Sequence, residues 1–318
     1  MIGKDIQLAA AYLEQGKLVA IPTETVYGLA ARIDRDESVL EIFKAKNRPA
    51  FDPLIVHIAD ISWLNELVAE IPEKAERLMK KVWPGPLTLL FKKSDKVSDL
   101  VTSGNDTVAI RMPGHPLTLE MLRLLGLPVA APSANPFGYV SPTTAAHVDK
   151  QLGEQVAYIL DGGPSTVGLE STILSFVENK PKVLRLGGMS IEQLSELLGE
   201  TPELQIATHS NPQAPGQLDK HYATGIPLIF TEDVLGEAKK HSGERLGLIA
   251  FQSDYDAVPW TEKEVLSQEG NLNEAARKLF SVMRSFDEKS LDKIIAEKFP
   301  NQGLGRAIND RLQRASHR

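Results

Sequence analysis

Two hydrophobic periods alternate along the first two-thirds of the chain. Short apolar runs rich in β-branched residues predict strands, and segments with apolar residues every three to four positions predict helices. The predicted strands are 17–23, 53–58, 86–91, 107–112, 127–131, 158–161, 171–176 and 182–186. The predicted helices are 5–14, 37–45, 61–69, 72–81, 116–125, 143–152 and 190–198. This mixture predicts an α/β or α+β fold, in which helices cover the faces of a sheet.

The pattern breaks at residues 201–226, which are rich in Pro, Gly, Asn, Gln and Ser and show no sustained period. So long a stretch without structure is either a tether or functional. The elements predicted after it are strands at 227–230 and 245–251 and helices at 271–288 and 304–316. We therefore predict a first domain at 1–200, a linker at 201–226 and a smaller C-terminal α/β domain at 227–318.

Composition narrows the possible functions. The 42 acidic and 35 basic residues give a formal net charge of −7, the opposite of the balance expected for a protein that binds nucleic acid mainly by charge. The absence of cysteine excludes disulfides, thiol nucleophiles and cysteine metal sites. No apolar run approaches the roughly 20 residues that span a bilayer, and the N-terminus lacks the apolar core of a signal peptide. We expect a cytoplasmic protein without a membrane segment.

Four polar clusters next to apolar runs could carry chemistry. Residues 22–29, PTETVYGL, follow a predicted strand and suit either a substrate loop or a turn with a helix cap. Lys46 and Arg48 are followed by prolines and could form a fixed pair of phosphate ligands, or a solvated pair at a helix end. A histidine inside an apolar strand, as His57 is, more often belongs to the core.

The other two clusters also allow both a functional and a purely structural interpretation. Residues 131–136, APSANP, and the nearby Ser141 could form ordinary turns or direct hydroxyl and amide groups at a nucleotide. The glycine-rich residues 162–172 could form an anion-binding nest or a plain loop. Arg111 and Arg185 lie on apolar strands, where an arginine is costly without an anionic partner. These two arginines favour an anion-binding cleft.

These clusters, in this order, resemble the YrdC-type threonylcarbamoyl-AMP synthases in their longer, two-domain form. The matching stretches are PTETVYGL (22–29), KNRP–DPLIVH (46–57), WPGPLTLL (83–90), VAIRMP (108–113), APSAN (131–135), GGPSTVGLESTI (162–173), VLRLG (183–187), APGQLDKHYAT (214–224) and GLGRAINDRLQRA (303–315). The match runs along nearly the whole chain, and its strength lies in the joint occurrence of motifs that are weak one by one.

The resemblance implies a fold and a reaction. The fold would be a YrdC-like twisted mixed sheet with flanking helices, plus a smaller C-terminal Rossmann-like α/β domain. The enzyme would convert L-threonine, bicarbonate or CO2, and ATP into threonylcarbamoyl-AMP and pyrophosphate. Its product would pass to a separate enzyme complex that modifies the adenosine beside the anticodon of tRNAs that read ANN codons. Tight binding of nucleic acid by this chain is not expected.

The resemblance also assigns roles to residues. The threonine ligands would be Thr25, His57, Arg111 and Ser171, and the ATP contacts would be Arg48, Thr107, Ser133, Asn135, Ser141 and Arg185. Tyr222 in the linker would close over the nucleotide. Lys46 and Arg48 would be the catalytic residues and, together with a Mg²⁺ ion, would neutralise the triphosphate. Position 52 is Asp where the family usually has Asn, so Asp52 is left out of the ATP set, and Ala131 can offer only its backbone.

Two alternatives follow from the same fold. One is a protein that binds double-stranded RNA or tRNA, against which the acidic composition argues. The other is a carbamoyl transferase like the hydrogenase-maturation proteins, whose zinc-finger regions a chain without cysteine cannot form. For the second domain, our hypothesis is that the linker alone suffices to close the active site.

Overall fold

The structure is a computed structural model that describes residues 1–49, 51–178, 180–206 and 222–317. The strands are β1 (Ile2–Gly3), β2 (Val19–Ile21), β3 (Gly28–Arg32), β4 (Ile55–His57), β5 (Leu87–Lys92), β6 (Thr107–Arg111), β7 (Val129–Ala130), β8 (Tyr158–Leu160), β9 (Thr172–Ser175), β10 (Lys182–Arg185), β11 (Glu203–Leu204), β12 (Leu228–Thr231), β13 (Leu246–Ala250), β14 (Glu262–Val265) and β15 (Lys293–Glu297). The helices are α1 (Ile6–Glu14), α2 (Asp36–Lys46), α3 (Leu64–Leu67), α4 (Glu73–Val82), α5 (Asp99–Thr102), α6 (Pro116–Leu125), α7 (Ala145–Leu152), α8 (Ile191–Leu198), α9 (Val234–Lys240), α10 (Leu272–Asp287) and α11 (Gly305–Ser316), and a 3-10 helix covers Ile61–Trp63.

The strands form two sheets. In the described part of the chain, eleven strands make a mixed sheet in the order β1-β8-β2-β3-β7-β4-β6-β5-β9-β10-β11. The other four make a parallel sheet in the order β12-β15-β13-β14. Parallel neighbours require crossover connections, which in the second sheet include α9 and α10. The predicted fold class is confirmed: a mixed sheet with flanking helices, followed by a smaller α/β unit.

Several predicted elements need correction. The helix predicted at 61–69 is a 3-10 turn followed by the short α3, and the Asp60 side chain accepts a hydrogen bond from the Ser62 amide where the turn begins. The loop predicted at 22–29 runs directly into β3, which pairs antiparallel with β2. The segment predicted at 201–226 contains the short strand β11, and its residues 207–221 lie outside the described residues.

The two faces of the large sheet are both buried but differ in character. Side chains alternate between faces along each strand, so Val56, Val108 and Ile110 join the main core. Ile55, Ala109 and Leu90 face the other way and belong to a separate small apolar cluster. In the register of β4 and β6, Ile55 pairs with Ala109 and His57 pairs with Arg111. The polar side chains of His57 and Arg111 therefore share a face with the small cluster.

The C-terminal helices pack against the first part of the chain. The main apolar core continues from the large sheet into α10 and α11 without a break. Arg284 of α10 is buried and donates hydrogen bonds to the carbonyl oxygens of Ser141 (3.2 Å) and Val140 (2.5 Å) and to Gln151 Oε1 (2.9 Å). The two sheets are therefore joined by a shared core and not only by the covalent chain.

A pair of leucine variants tests this shared core. Leu279 of α10 is fully buried and Leu124 of α6 is 53% exposed. We expect Leu279→Ala to lower the free energy of unfolding by about 2–5 kcal/mol, because it removes buried methyl groups and leaves a cavity. Leu124→Ala, a matched change in another helix, should cost less than about 0.5 kcal/mol. Denaturant titration measures both, and equal losses would contradict the assignment of α10 to the core.

Candidate active site

One cavity gathers most of the predicted site residues. Its described walls are formed by Thr23, Thr25, Val26, Gly28, Arg48, Ile55, His57, Arg111, Ala131, Pro132, Ser133, Glu170, Ser171, Arg185 and Tyr222. The cavity is narrow, since the centre of a water molecule can move through only about 40 Å³ of it. We expect at least one wall of the cavity to move when a larger ligand binds.

The wall formed by residues 23–26 is held by a directed chain of hydrogen bonds. The Thr23 hydroxyl donates to the Val26 carbonyl (2.5 Å), so it must accept from Thr25 Oγ1 (2.8 Å). Thr25 Oγ1 in turn accepts a hydrogen bond from Arg111 Nη1 (2.7 Å). Because the only proton of the Thr25 hydroxyl is used within the loop, Thr25 can offer a ligand only an acceptor.

Arg111 is buried at the end of β6, and one of its donor atoms, Nη2, faces the carboxylate of Glu24. Its Nε donates to the Gly85 carbonyl (3.2 Å) and its Nη1 donates to Thr25. Its Nη2 lies 2.7 Å from Glu24 Oε1, but the two groups are not aligned for a hydrogen bond, and neither atom has another partner among the described residues. Nη2 is therefore in ionic contact with Glu24, and a carboxylate ligand that bound it would share this donor with Glu24.

His57 lies next to Arg111 in the sheet and forms part of the cavity wall. Burial and the positive charge of Arg111 lower the pKa of His57 to about 3, so the imidazole is neutral at physiological pH. Its Nδ1 lies 3.2 Å from the Ile55 carbonyl oxygen, which assigns the ring proton to Nδ1 and leaves Nε2 as an acceptor. His57 is thus both buried in the sheet and part of the cavity wall.

Arg48 contributes a second guanidinium group. It donates hydrogen bonds to the carbonyl oxygens of Asp52 (3.1 Å) and Pro53 (2.8 Å). Asp52 is fully buried, with Oδ2 2.9 Å from Arg48 Nη2, although its carboxylate forms no aligned hydrogen bond among the described residues. Burial raises the pKa of Asp52, while the charge of Arg48 opposes this shift. Asp52 does not line the cavity.

Lys46 also lies outside the cavity wall. Its ammonium group is buried and donates to the carbonyl oxygens of Ser133 (2.6 Å) and Asn135. Its own carbonyl accepts a hydrogen bond from the Phe137 amide (2.8 Å). Burial lowers the pKa of Lys46 well below its usual value. In this conformation Lys46 fixes the loop that carries Ser133 and is not directed into the cavity.

Three other predicted nucleotide contacts lie outside the wall. Asn135 donates from its amide nitrogen to the Pro136 and Tyr139 carbonyls (2.9 Å each). The Ser141 hydroxyl is buried behind the cavity and donates its proton to Glu170 Oε1 (2.6 Å), so it could accept but not donate a further hydrogen bond. Thr107 lies at the opposite end of β6 from Arg111 and lines a neighbouring cavity together with Leu90 and Leu184.

The remaining wall contains Arg185, Ser171 and Tyr222. Arg185 donates to the Ser171 carbonyl from Nε (3.1 Å) and Nη2 (2.9 Å), and to Ser171 Oγ (3.0 Å). Burial lowers the pKa of Arg185 to about 10, which still leaves it charged at neutral pH. Tyr222 is buried and its backbone φ is 65°, in the left-handed region that a tyrosine seldom adopts.

The charge of the wall differs from that of the chain. Of the described residues that line the cavity, three are arginines, one is a glutamate and the histidine is neutral, so the wall carries a formal charge of about +2. This lining favours anionic ligands although the whole chain carries −7. Sequence reasoning did not select Glu170, and the only signal for it was a glutamate in a glycine-rich stretch next to Ser171.

No helix in the described part of the chain is long and apolar enough to cross a membrane. Within the same residues, no cluster of three or more His, Cys, Asp or Glu side chains could hold a metal ion.

Two family models match the chain. A model described as telomere recombination, for the Sua5, YciO and YrdC proteins, matches residues 11–187. A second, described as the C-terminal domain of threonylcarbamoyl-AMP synthase, matches residues 189–317.

Individual relatives agree with these models. The threonylcarbamoyl-AMP synthase of Bacillus subtilis is 43% identical over 98% of this chain and 92% of the relative. That of Pyrococcus abyssi is 41% identical over 98% of this chain and 94% of the relative. The crystal structure of P. abyssi Sua5 complexed with L-threonine matches with a TM-score of 0.92 at 38% identity, covering 99% of this chain and 97% of that one. The resemblance inferred from the motifs is confirmed, and the chain belongs to the threonylcarbamoyl-AMP synthase family.

Proposed function

We propose that the chain is an L-threonylcarbamoyladenylate synthase, which joins L-threonine, bicarbonate or CO2, and the adenylyl group of ATP, and releases pyrophosphate. The observation that carries this proposal is the convergence of Arg48, Arg111 and Arg185 with the neutral His57 on one cavity. Relatives named for this activity cover almost the whole chain, so the RNA-binding alternative is not favoured.

Threonine would bind at the end of the cavity that contains Arg111. Its carboxylate would accept from Arg111 Nη2, which pairs with Glu24 but forms no aligned hydrogen bond among the described residues. Its ammonium or hydroxyl group would donate to His57 Nε2 and Thr25 Oγ1, which are available as acceptors. Ser171 would complete this part of the wall. The P. abyssi relative was solved in complex with L-threonine, which supports this assignment.

ATP would occupy the cavity beside Arg48, Arg185 and Ser133, with charge neutralisation by the two arginines. Thr107 lies four residues from Arg111 on the same face of β6, which corresponds to about 13 Å along a strand. The small apolar cluster that contains Ala109 and Leu184 lies between them. A nucleotide along this face would place its phosphates near the arginines and its base over apolar side chains.

The chemistry then needs no covalent enzyme intermediate. The threonine amine loses a proton and adds to CO2, which gives a carbamate. A carbamate oxygen attacks the α-phosphorus of ATP, the bond to the β-phosphate oxygen breaks, and pyrophosphate leaves. Both reactants are anionic, so the side chains act by holding them close together and by balancing their charge. Lys46 would contribute by fixing the backbone of Ser133 and Asn135.

A Mg²⁺ ion fits this site as a companion of the nucleotide. The described wall contains a single carboxylate, Glu170, whose oxygens already accept hydrogen bonds from Ser141 and Arg311. Mg²⁺ commonly keeps several waters and binds through substrate phosphates and one or two carboxylates. The ion would therefore be held mainly by triphosphate oxygens and water, and would neutralise part of the phosphate charge.

Two further parts of the proposal concern closure and the product. Tyr222 lines the cavity, and we expect it to open when the nucleotide enters and to close over the bound nucleotide by returning to this wall. The product would be passed to a tRNA threonylcarbamoyl transferase complex in the cytoplasm.

The decisive experiment is incubation of the full chain with ATP, L-threonine, bicarbonate and Mg²⁺. We expect pyrophosphate together with a threonine-containing adenylate, followed by coupled phosphate release and mass spectrometry. Omission of bicarbonate or threonine, or addition of excess EDTA, should abolish both products. Pyrophosphate release that does not depend on threonine would contradict the proposed reaction.

The Arg111→Gln variant tests the threonine site. Loss of a charge-assisted hydrogen bond to a carboxylate costs about 1.5–3 kcal/mol, so KM for threonine should rise roughly 10- to 100-fold. KM for ATP should change much less. Arg123→Gln, at an exposed position of α6, is the matched control and should leave both constants unchanged. An equal rise in both KM values for Arg111→Gln would argue against a specific contact with threonine.

The low pKa of His57 predicts a pH-dependent stability. The pKa of His57 is about 6.5 in the unfolded chain and about 3 in the folded chain. Below pH 6.5 the unfolded chain therefore binds more protons, and the free energy of unfolding decreases as the pH decreases. At pH 5 this destabilisation amounts to about 2 kcal/mol. His57→Gln should remove that part of the fall between pH 8 and pH 5. Denaturant midpoints at the two pH values measure it, and parallel losses in both proteins would refute the prediction.

A further inference from the structure

A buried arginine of the last helix contacts the active-site cavity from behind. Arg311 of α11 is 0% exposed. Its Nε and Nη2 both donate to Glu170 Oε2 (3.1 Å each), and Nη2 also donates to the Leu186 carbonyl (2.7 Å). A fourth hydrogen bond runs from Nη1 to Asp310 Oδ2 (2.7 Å). Arg311 itself does not line the cavity, but Glu170 does.

Arg311 also contacts a second wall of the cavity. Its guanidinium carbon lies 5.2 Å from the centroid of the Tyr222 ring, within cation–π distance. Phe280 of α10 stacks on the same ring at 5.4 Å, with 21° between the planes. Tyr222 is thus held by two C-terminal helices while its backbone adopts the unfavourable positive φ. The hypothesis that the linker alone suffices for closure stays a prediction, and these contacts favour a contribution from the C-terminal helices.

We propose that Arg311 is a positioning residue for the reaction, which fixes Glu170 and Tyr222 in the cavity wall and balances the charge of Glu170. This inference rests on the proposed function for the identity of the ligand. It makes the C-terminal part of the chain a component of the active site, because the site's only carboxylate among the described wall residues is compensated from α11.

Charge explains why an arginine is needed at this position. ATP, the threonine carboxylate and the carbamate are all anionic, so an uncompensated carboxylate in the wall would repel each of them. Arg311 removes this repulsion from the side away from the substrates. Its planar group reaches Glu170 and the Leu186 carbonyl at once, which the point charge of a lysine cannot reproduce.

A double-mutant cycle on the full chain tests the proposal, with ATP affinity measured by calorimetry and with the kinetics of pyrophosphate release. Arg311→Met should weaken ATP binding at least about tenfold, because Glu170 loses the guanidinium group that offsets its negative charge from α11. In a Glu170→Gln background the same Arg311→Met change should alter the Kd by less than about threefold. A merely structural role of Arg311 would not depend on the charge at position 170.

Arg306→Gln is the matched control, because Arg306 lies on the same helix and pairs across the interface with Glu192, away from the cavity. It should leave the Kd for ATP within about twofold of the parent value. If Arg311→Met does not fold, as judged by thermal melting, the uncharged but polar Arg311→Gln replaces it in the same cycle, with the same criteria.

Two results would overturn the proposal: parental ATP affinity in the Arg311 variant, or an undiminished loss in the Glu170→Gln background. The failure of the proposed reaction would look different. It would show as a parent chain that binds ATP without releasing pyrophosphate in the presence of threonine and bicarbonate, and the calorimetric cycle would still decide the role of Arg311.

Discussion

The fold has to keep several guanidinium groups charged inside one buried cavity. Burial of a charged group without partners costs far more than most single interactions return. The chain meets this demand largely with backbone carbonyls: Gly85 for Arg111, Asp52 and Pro53 for Arg48, and Ser171 for Arg185. Carbonyl oxygens satisfy the N–H groups but carry no full negative charge. Glu24, 2.7 Å from Arg111, and Asp52, 2.9 Å from Arg48, neutralise part of the charge of two of these arginines, so only the remainder attracts anionic substrates.

This arrangement depends on where the strands end. Arg111 and His57 are the last residues of two paired parallel strands, and Arg185 ends β10. Beyond these ends the backbone carbonyls are no longer all hydrogen-bonded within the sheet. Carbonyls of the adjoining loops can therefore accept hydrogen bonds from the arginines. The small apolar cluster on the same face gives the strands a second buried side. The site is therefore a direct consequence of a sheet that is covered on both faces.

Sequence reasoning found the parts of the site that carry a local signal. Arg111 and Arg185 were conspicuous as lone charges in apolar strands, and the structure brings both to the cavity. Lys46 and Arg48 lie two residues apart, yet only Arg48 lines the cavity, because Asn47 ends α2 in the left-handed conformation and turns the chain between them. The partners of Lys46 are almost ninety residues away, so no local pattern could show that it fixes the Ser133 loop.

Other misses have equally physical causes. The edge strand β14 has the sequence EKEV, whose charges resemble an exposed helix or a loop, although edge strands tolerate such residues well. The strand β3 begins at Gly28, inside a stretch that was interpreted as one polar loop. Glu170 and Arg311 are 141 residues apart, and each taken alone is an ordinary charged residue. Their pairing is visible only in three dimensions.

Asp52 changes the net charge beside Arg48. Its carboxylate is fully buried beside Arg48, and the family resemblance would place a neutral asparagine there. An aspartate at this position neutralises part of the positive charge of Arg48, which would otherwise attract the triphosphate. The positive charge of Lys46 lies close enough to lower the pKa of Asp52 together with Arg48, which helps to keep it ionised against the cost of burial. Lys46 therefore acts in two ways: it fixes the Ser133 loop, and it offsets a negative charge that would weaken the attraction of Arg48 for phosphate.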